Sequence, residues 1–131
     1  MRVALDATPM IGTRTGIGIF VDELLRGIRG MEQQGTEVEI TAYTLSIRAR
    51  LRGETHGVWV PLPASRAPTI WRWFRGPRIE TFVGAVDVVH GTNYLVPPSA
   101  QPRVVTVHDL SFLRDSGVRR ASTARFDRAV A

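Results

Sequence analysis

The chain has 131 residues, 44% of them hydrophobic, a net charge of +5 and a mean hydropathy near zero, which fits one globular domain with its own core. It has no cysteine, so disulfides and thiolate metal sites are excluded, and its three histidines, His56, His90 and His108, lack zinc-site spacing. No apolar run approaches the roughly 20 residues of a membrane span. All 17 basic residues are arginine, which points to genomic base composition; the charge balance still favours anionic partners.

Residues 2–6 read as a short buried strand. Asp6 interrupts that run, so the start is not laid out as a signal peptide, and a cytoplasmic protein is expected. A polar loop follows, Ala7 to Thr15. Ile17, Phe20, Val21, Leu24, Ile28 and Met31 then recur at helical spacing, with Gly18, Asp22, Arg26 and Arg29 off that stripe. Gly30 and Gly35 are expected to end the helix region.

Val38 to Thr44 reads as a second strand. Arg48, Arg50 and Arg52 read as a short polar connection, and Val58 to Leu62 as a third strand closed by prolines. Pro68 to Phe82 is expected to be helical and kinked or split near Gly76-Pro77. Asp87 to His90 and Arg103 to His108 are the fourth and fifth strands, and a last helix is expected from Val118. Strands alternating with helices predict a doubly wound parallel α/β sheet. Right-handed crossovers then gather Asp6, His90, His108 and the Gly16 turn at one sheet edge, where such folds bind ligands. The sequence ends inside a helical pattern with no capping signal, which is read as a truncation.

Three motifs bear on chemistry. Thr15-Gly16-Ile17-Gly18 precedes the first helix; glycine admits close backbone approach to a phosphate, and a helix N-terminus offers free N–H groups. The plainer reading is a tight turn that needs positive φ. His108-Asp109 follows a β-branched strand, where a histidine can polarise a hydroxyl or act as acid and base. The plainer reading is a histidine bonded to a loop carbonyl. His90-Gly91-Thr92-Asn93-Tyr94 makes a polar loop suited to hydroxyl recognition, or a simple turn with Asn93 as its Asx residue. Trp71, Trp73 and Phe74 interleave with arginines. That helix either packs its aromatics on the sheet, with Ile70, Trp73 and Phe74 as one group, or docks on a membrane surface. Nucleic acid is not expected, because no binding module surrounds the patch.

These segments, in order, resemble the N-terminal domain of family 4 glycosyltransferases of the GT-B fold. The likeness rests on Met1-Arg2-Val3-Ala4-Leu5-Asp6, on Thr15 to Phe20 with Leu24-Leu25, on Asp87 to Tyr94 with Pro97, and most closely on Val104 to Phe112. It implies a Rossmann-like domain over residues 1–131, the acceptor-side half of a two-domain enzyme. Such enzymes transfer a sugar from a nucleotide-sugar donor to a glycan or lipid-linked acceptor hydroxyl with retention. The resemblance implies that Gly16 and Gly18 approach the donor diphosphate, that His108 lies near the reacting sugar, and that His90 and Asn93 line the acceptor side. Asp109 joins the substrate-binding set. No metal or other cofactor is required, because turn N–H groups stabilise the leaving-group charge. Relatives often carry Arg-Tyr where this chain has Ile19-Phe20, and Arg14 is the expected substitute. With the donor-binding domain absent, the chain alone is expected to be inactive. The rival readings are a free-standing nucleotide or phosphate-binding module and a peripheral adaptor at the inner membrane face.

Overall fold

The computed structural model describes residues 1–108 except 14, 64 and 75, with the side chains of 68, 72 and 74 also left out. Five strands form one parallel sheet: β1 (Arg2–Asp6), β2 (Glu39–Leu45), β3 (Val58–Val60), β4 (Val88–Gly91) and β5 (Arg103–Val105), in the order β3-β2-β1-β4-β5. The chain works outward from β1 to β3, then crosses back past β1 to begin β4. The gap between β1 and β4 is therefore the topological switch point, where open α/β sheets bind ligands beyond their strand C-termini. This is the expected Rossmann-like α/β architecture. The fifth strand ends at Val105 rather than at His108, and the third at Val60.

Helix α1 (Gly16–Gln33) covers one face of the sheet. Its Val21 and Leu25 pack with Leu5, Ala7, Met10 and Ala42, and Ile17, Leu24 and Ile28 border them. The inward stripe is rotated from the one read in the sequence: Phe20 and Met31 are exposed, whereas Gly18 is buried. Spacing explains it, because 18, 21 and 25 lie on one helical ridge. Gly35, at φ 83°, rather than Gly30, ends the helix; Thr36 N–H reaches Met31 C=O and Gly35 N–H reaches Glu32 C=O, the paired bonds of a Schellman cap.

The opposite face is closed by α3 (Ala67–Phe74) and α4 (Glu80–Val83). Ala67, Trp71 and Ile79 pack there on Ala4, Tyr43, Leu45, Val60, Val86 and Val89. The split expected near Gly76-Pro77 is present, and that bond is cis. The aromatic grouping differs from expectation. Trp71, one turn after Ala67, takes the inward position, and Trp73 is 76% exposed.

The polar connection at 48–52 is in fact a helix, α2 (Ile47–Arg52). Reading its arginines as a polar connection missed the signals at both ends. Ser46 Oγ accepts the Ala49 N–H, and Gly53 takes φ 69°. The last helix expected from Val118 lies outside the described residues.

Candidate functional site

β1 ends at Asp6 and β4 at Gly91, so both feed their loops into the switch point. Thr92, fully buried, donates its Oγ1 hydrogen to the Asp6 carbonyl at 2.7 Å and ties the two loops together. Gly91 is required for this path, because a Cβ there would overlap the Leu95 carbonyl. The loop then closes tightly: Leu95 N–H bonds to Asn93 C=O at 2.7 Å, with Tyr94 between them at φ 55°. That is a γ-turn with its central residue in the left-handed region, a strained conformation for a tyrosine. Its closing acceptor is the Asn93 backbone carbonyl, and Tyr94 N–H bonds to Thr106 C=O at 3.2 Å.

His108 stands over this loop. Its Nε2 lies 2.7 Å from the Thr92 carbonyl oxygen. A carbonyl only accepts, so Nε2 carries the proton and neutral His108 keeps its lone pair on Nδ1. The carbonyl bond is the one the plainer reading of His108 anticipates. It also fixes the tautomer that leaves a base on the other nitrogen. The imidazole meets Phe20 edge-to-face, with ring centroids 5.2 Å apart, and Tyr94 at 6.2 Å. Phe20 lies one turn beyond Gly16, on the same side of α1, so His108 is positioned against the first turns of that helix.

The two glycines of that turn differ. Both lie inside the helix, so the turn with positive φ is not formed by them; Gly12, at φ 73°, takes that role. A Cβ on Gly18 would come within 2.6 Å of the Pro9 carbonyl oxygen, so Gly18 lets α1 approach the short 3₁₀ turn at Thr8–Met10. Gly16 faces open space. Thr15, at the N-cap, makes no side-chain cap bond, so the first-turn N–H groups are not satisfied by their own cap.

His90 leaves β4 on the α1 face, because it is in register with Leu5. Its Nε2 lies 2.8 Å from Thr106 Oγ1, which couples β4 to the segment leading to His108. Burial pushes its pKa down, which keeps the ring neutral near pH 7. Asp6 shares the sheet edge but not the face. It pairs with Tyr43, whose ring belongs to the opposite core. Burial pushes the Asp6 carboxyl up to about 6, against the lowering effect of hydrogen bonds from Thr8, one of them the Thr8 N–H at 2.8 Å. The Tyr43 hydroxyl is buried without a hydrogen-bond partner among the described residues, and burial with the nearby Asp6 charge pushes its pKa well up.

Of the sequence-derived residues, Gly16, His90, Asn93 and His108 lie toward the switch point, whereas Gly18 is turned into the packing of α1 on Pro9; Arg14 and Asp109 lie outside the described residues. Phe20, Tyr94 and Thr92 are further members. Phe20 was hidden in the sequence by its apparent place on the core stripe. Among the described residues no cluster of side chains could hold a metal ion. No protein-family model, curated protein or solved structure matches this chain.

Proposed function

We propose that the chain is the acceptor-side domain of a retaining, nucleotide-sugar-dependent glycosyltransferase of the GT-B type. The observation that carries this reading is the position of His108, held by the Thr92 carbonyl at the switch point and set edge-to-face against Phe20 in the first turns of α1. One sheet edge thereby brings together an imidazole whose Nδ1 has no hydrogen-bond partner among the described residues and a helix N-terminus at Gly16 that Thr15 does not cap. The first suits an acceptor hydroxyl or the reacting sugar. The second suits the charge that develops on a departing nucleoside diphosphate. His90 and Asn93 would contact acceptor hydroxyls, Arg14 would serve the phosphate side, and Asp109 would stand beside His108. The reading calls for no metal and no cofactor beyond the nucleotide-sugar, which is a substrate.

A specific observation supports the second reading, a nucleotide or phosphate-binding module. Gly16 is open and Thr15 does not cap the helix. Amide NMR of the chain separates the two. Titration with methyl mannoside or methyl glucoside, with and without GDP-mannose or UDP-glucose, is expected to move Gly16, His90 to Asn93 and His108. Saturable binding of GDP or UDP with no response to any glycoside would favour the module. No response at this edge to either class at millimolar concentration would overturn both.

A further inference from the structure

Tyr94, at φ 55°, is the one residue other than glycine with positive φ among the described residues. A Cβ in that region crowds the following carbonyl, and a bulky side chain rarely accepts it. Elsewhere the chain meets the demand with glycine, at Gly12, Gly35, Gly53, Gly57 and Gly84. Asparagine tolerates the region too, and Asn93 stands next door, yet the left-handed position falls on the tyrosine. A tight turn by itself calls for no aromatic ring there. The strain directs attention to what the ring touches.

The backbone around Tyr94 is tied from both sides. Leu95 N–H bonds to Asn93 C=O at 2.7 Å, and Tyr94 N–H bonds to Thr106 C=O at 3.2 Å. Two residues beyond Thr106, His108 Nε2–H returns a bond to Thr92 C=O at 2.7 Å. Residues 92 and 94 are thus laced to residues 106 and 108 by two bonds. The Tyr94 ring completes the circuit: it meets the His108 imidazole edge-to-face, with centroids 6.2 Å apart and planes 70° apart.

His108 needs such a restraint. Its side chain is exposed, so no core packing holds it. One bond to a carbonyl is a weak hold on an imidazole. Half a turn about Cβ–Cγ exchanges Nε2 for Cε1 and breaks that bond. Moving the proton to Nδ1 converts the base into a donor. Ring contacts oppose both changes, because the edge-to-face geometry is lost when the imidazole turns. Phe20 supplies one contact from α1, and Tyr94 supplies the other from the loop.

We propose that Tyr94 is a positioning residue for His108: its left-handed backbone aims the phenol ring at the imidazole and keeps that ring in the Nε2–H form, with Nδ1 as the base. The proposal rests on His108 as the working histidine of the proposed site. Its test needs neither sugar nor nucleotide, so the sugar-transfer reading can fail while this assignment stands.

Long-range nitrogen–proton correlation spectra of the whole chain report the tautomer of each histidine at mildly alkaline pH, where imidazoles are neutral. His108 is expected in the Nε2–H form in the parent and in Tyr94→Phe. Tyr94→Gly and Tyr94→Ala are each expected to raise its Nδ1–H share about fivefold, as loss of one aromatic pair implies. His90, bonded to Thr106 Oγ1, should keep its own tautomer in all four proteins. Urea midpoints separate ring from backbone. Tyr94→Gly relieves the left-handed strain and should unfold at higher urea than Tyr94→Ala, which keeps it, while the two share one His108 spectrum. A parent-like His108 in Tyr94→Gly would overturn the proposal. So would a change in Tyr94→Ala that Tyr94→Gly lacks, a change in Tyr94→Phe, or an equal change at His90.

Discussion

His108 and Phe20 meet edge-to-face at 5.2 Å, which joins the segment beyond β5 to the first turns of α1. Aromatic pairs of this geometry contribute about 0.5–1.5 kcal/mol beyond their buried area. Phe20→Ala is therefore expected to move the His108 ring-proton resonances while leaving those of His90 in place. The same substitution should cost about 1 kcal/mol of stability at most, because Phe20 is exposed. Proton NMR of the two histidines checks this, and equal movement of both would contradict the arrangement.

The glycines divide sharply by what surrounds them. Gly18→Ala drives a methyl against the Pro9 carbonyl oxygen and is expected to destabilise by about 1–3 kcal/mol. Gly16→Ala meets nothing within 4 Å and should be neutral or slightly stabilising. Gly91→Ala, which would overlap the Leu95 carbonyl, is expected to be the worst of the three. Urea midpoints of the three variants would establish the order, and a Gly16→Ala loss as large as that of Gly18→Ala would refute it.

Asp6 makes stability depend on pH in an unusual direction. Its pKa is 3.8 when exposed and about 6 when folded, so the folded state holds the proton more tightly. Its contribution is fully present below pH 3.8 and is lost as pH rises through about 6. Asp6→Asn keeps an acceptor for the Thr8 N–H and carries no charge. It is expected to stabilise the chain above that window by about 3 kcal/mol, a pKa unit being worth about 1.4 kcal/mol. Denaturation on either side of the window measures it, and parallel pH profiles for parent and variant would reject it.

Thr92→Val removes the buried bond to the Asp6 carbonyl while preserving shape. A cost of about 1–2 kcal/mol is expected. Amide exchange should quicken around Thr92 and Asp6, since both ends of the tie are freed. Unchanged exchange there would show that the tie does not hold the loops together.

The strands and the main helix were legible because their patterns are strong. Arg2–Asp6, the stripe through Val21, and the β-branched runs before His90 and His108 each commit to one period. The edge they share followed from chain order and crossover handedness alone. Which side of the edge each residue faces did not follow. His90 and Asp6 part company because register, a non-local quantity, pairs one with Leu5 and the other with Tyr43. The inward direction of α1 was missed for a related reason. Gly18 carries no hydrophobic signal, yet the close approach of Pro9 requires it to face in. Helix α2 was missed because its three arginines read as a polar connection, and only its caps at Ser46 and Gly53 betray a helix.

The order β3-β2-β1-β4-β5 also has a temporal meaning. β1 leaves the ribosome before the other four strands of this sheet, yet one of its two edges is completed only by β4, and Arg2 N–H bonds to the Asp87 carboxylate 85 positions along the chain. Closing so long a loop is entropically costly and slow. During synthesis β1 can pair with β2 early, while its other edge stays open until Val88–Gly91 has emerged. The strand that carries His90 is thus also the piece that completes the pairing of the central strand, and the loop after it is tied to the end of β1 in the same event.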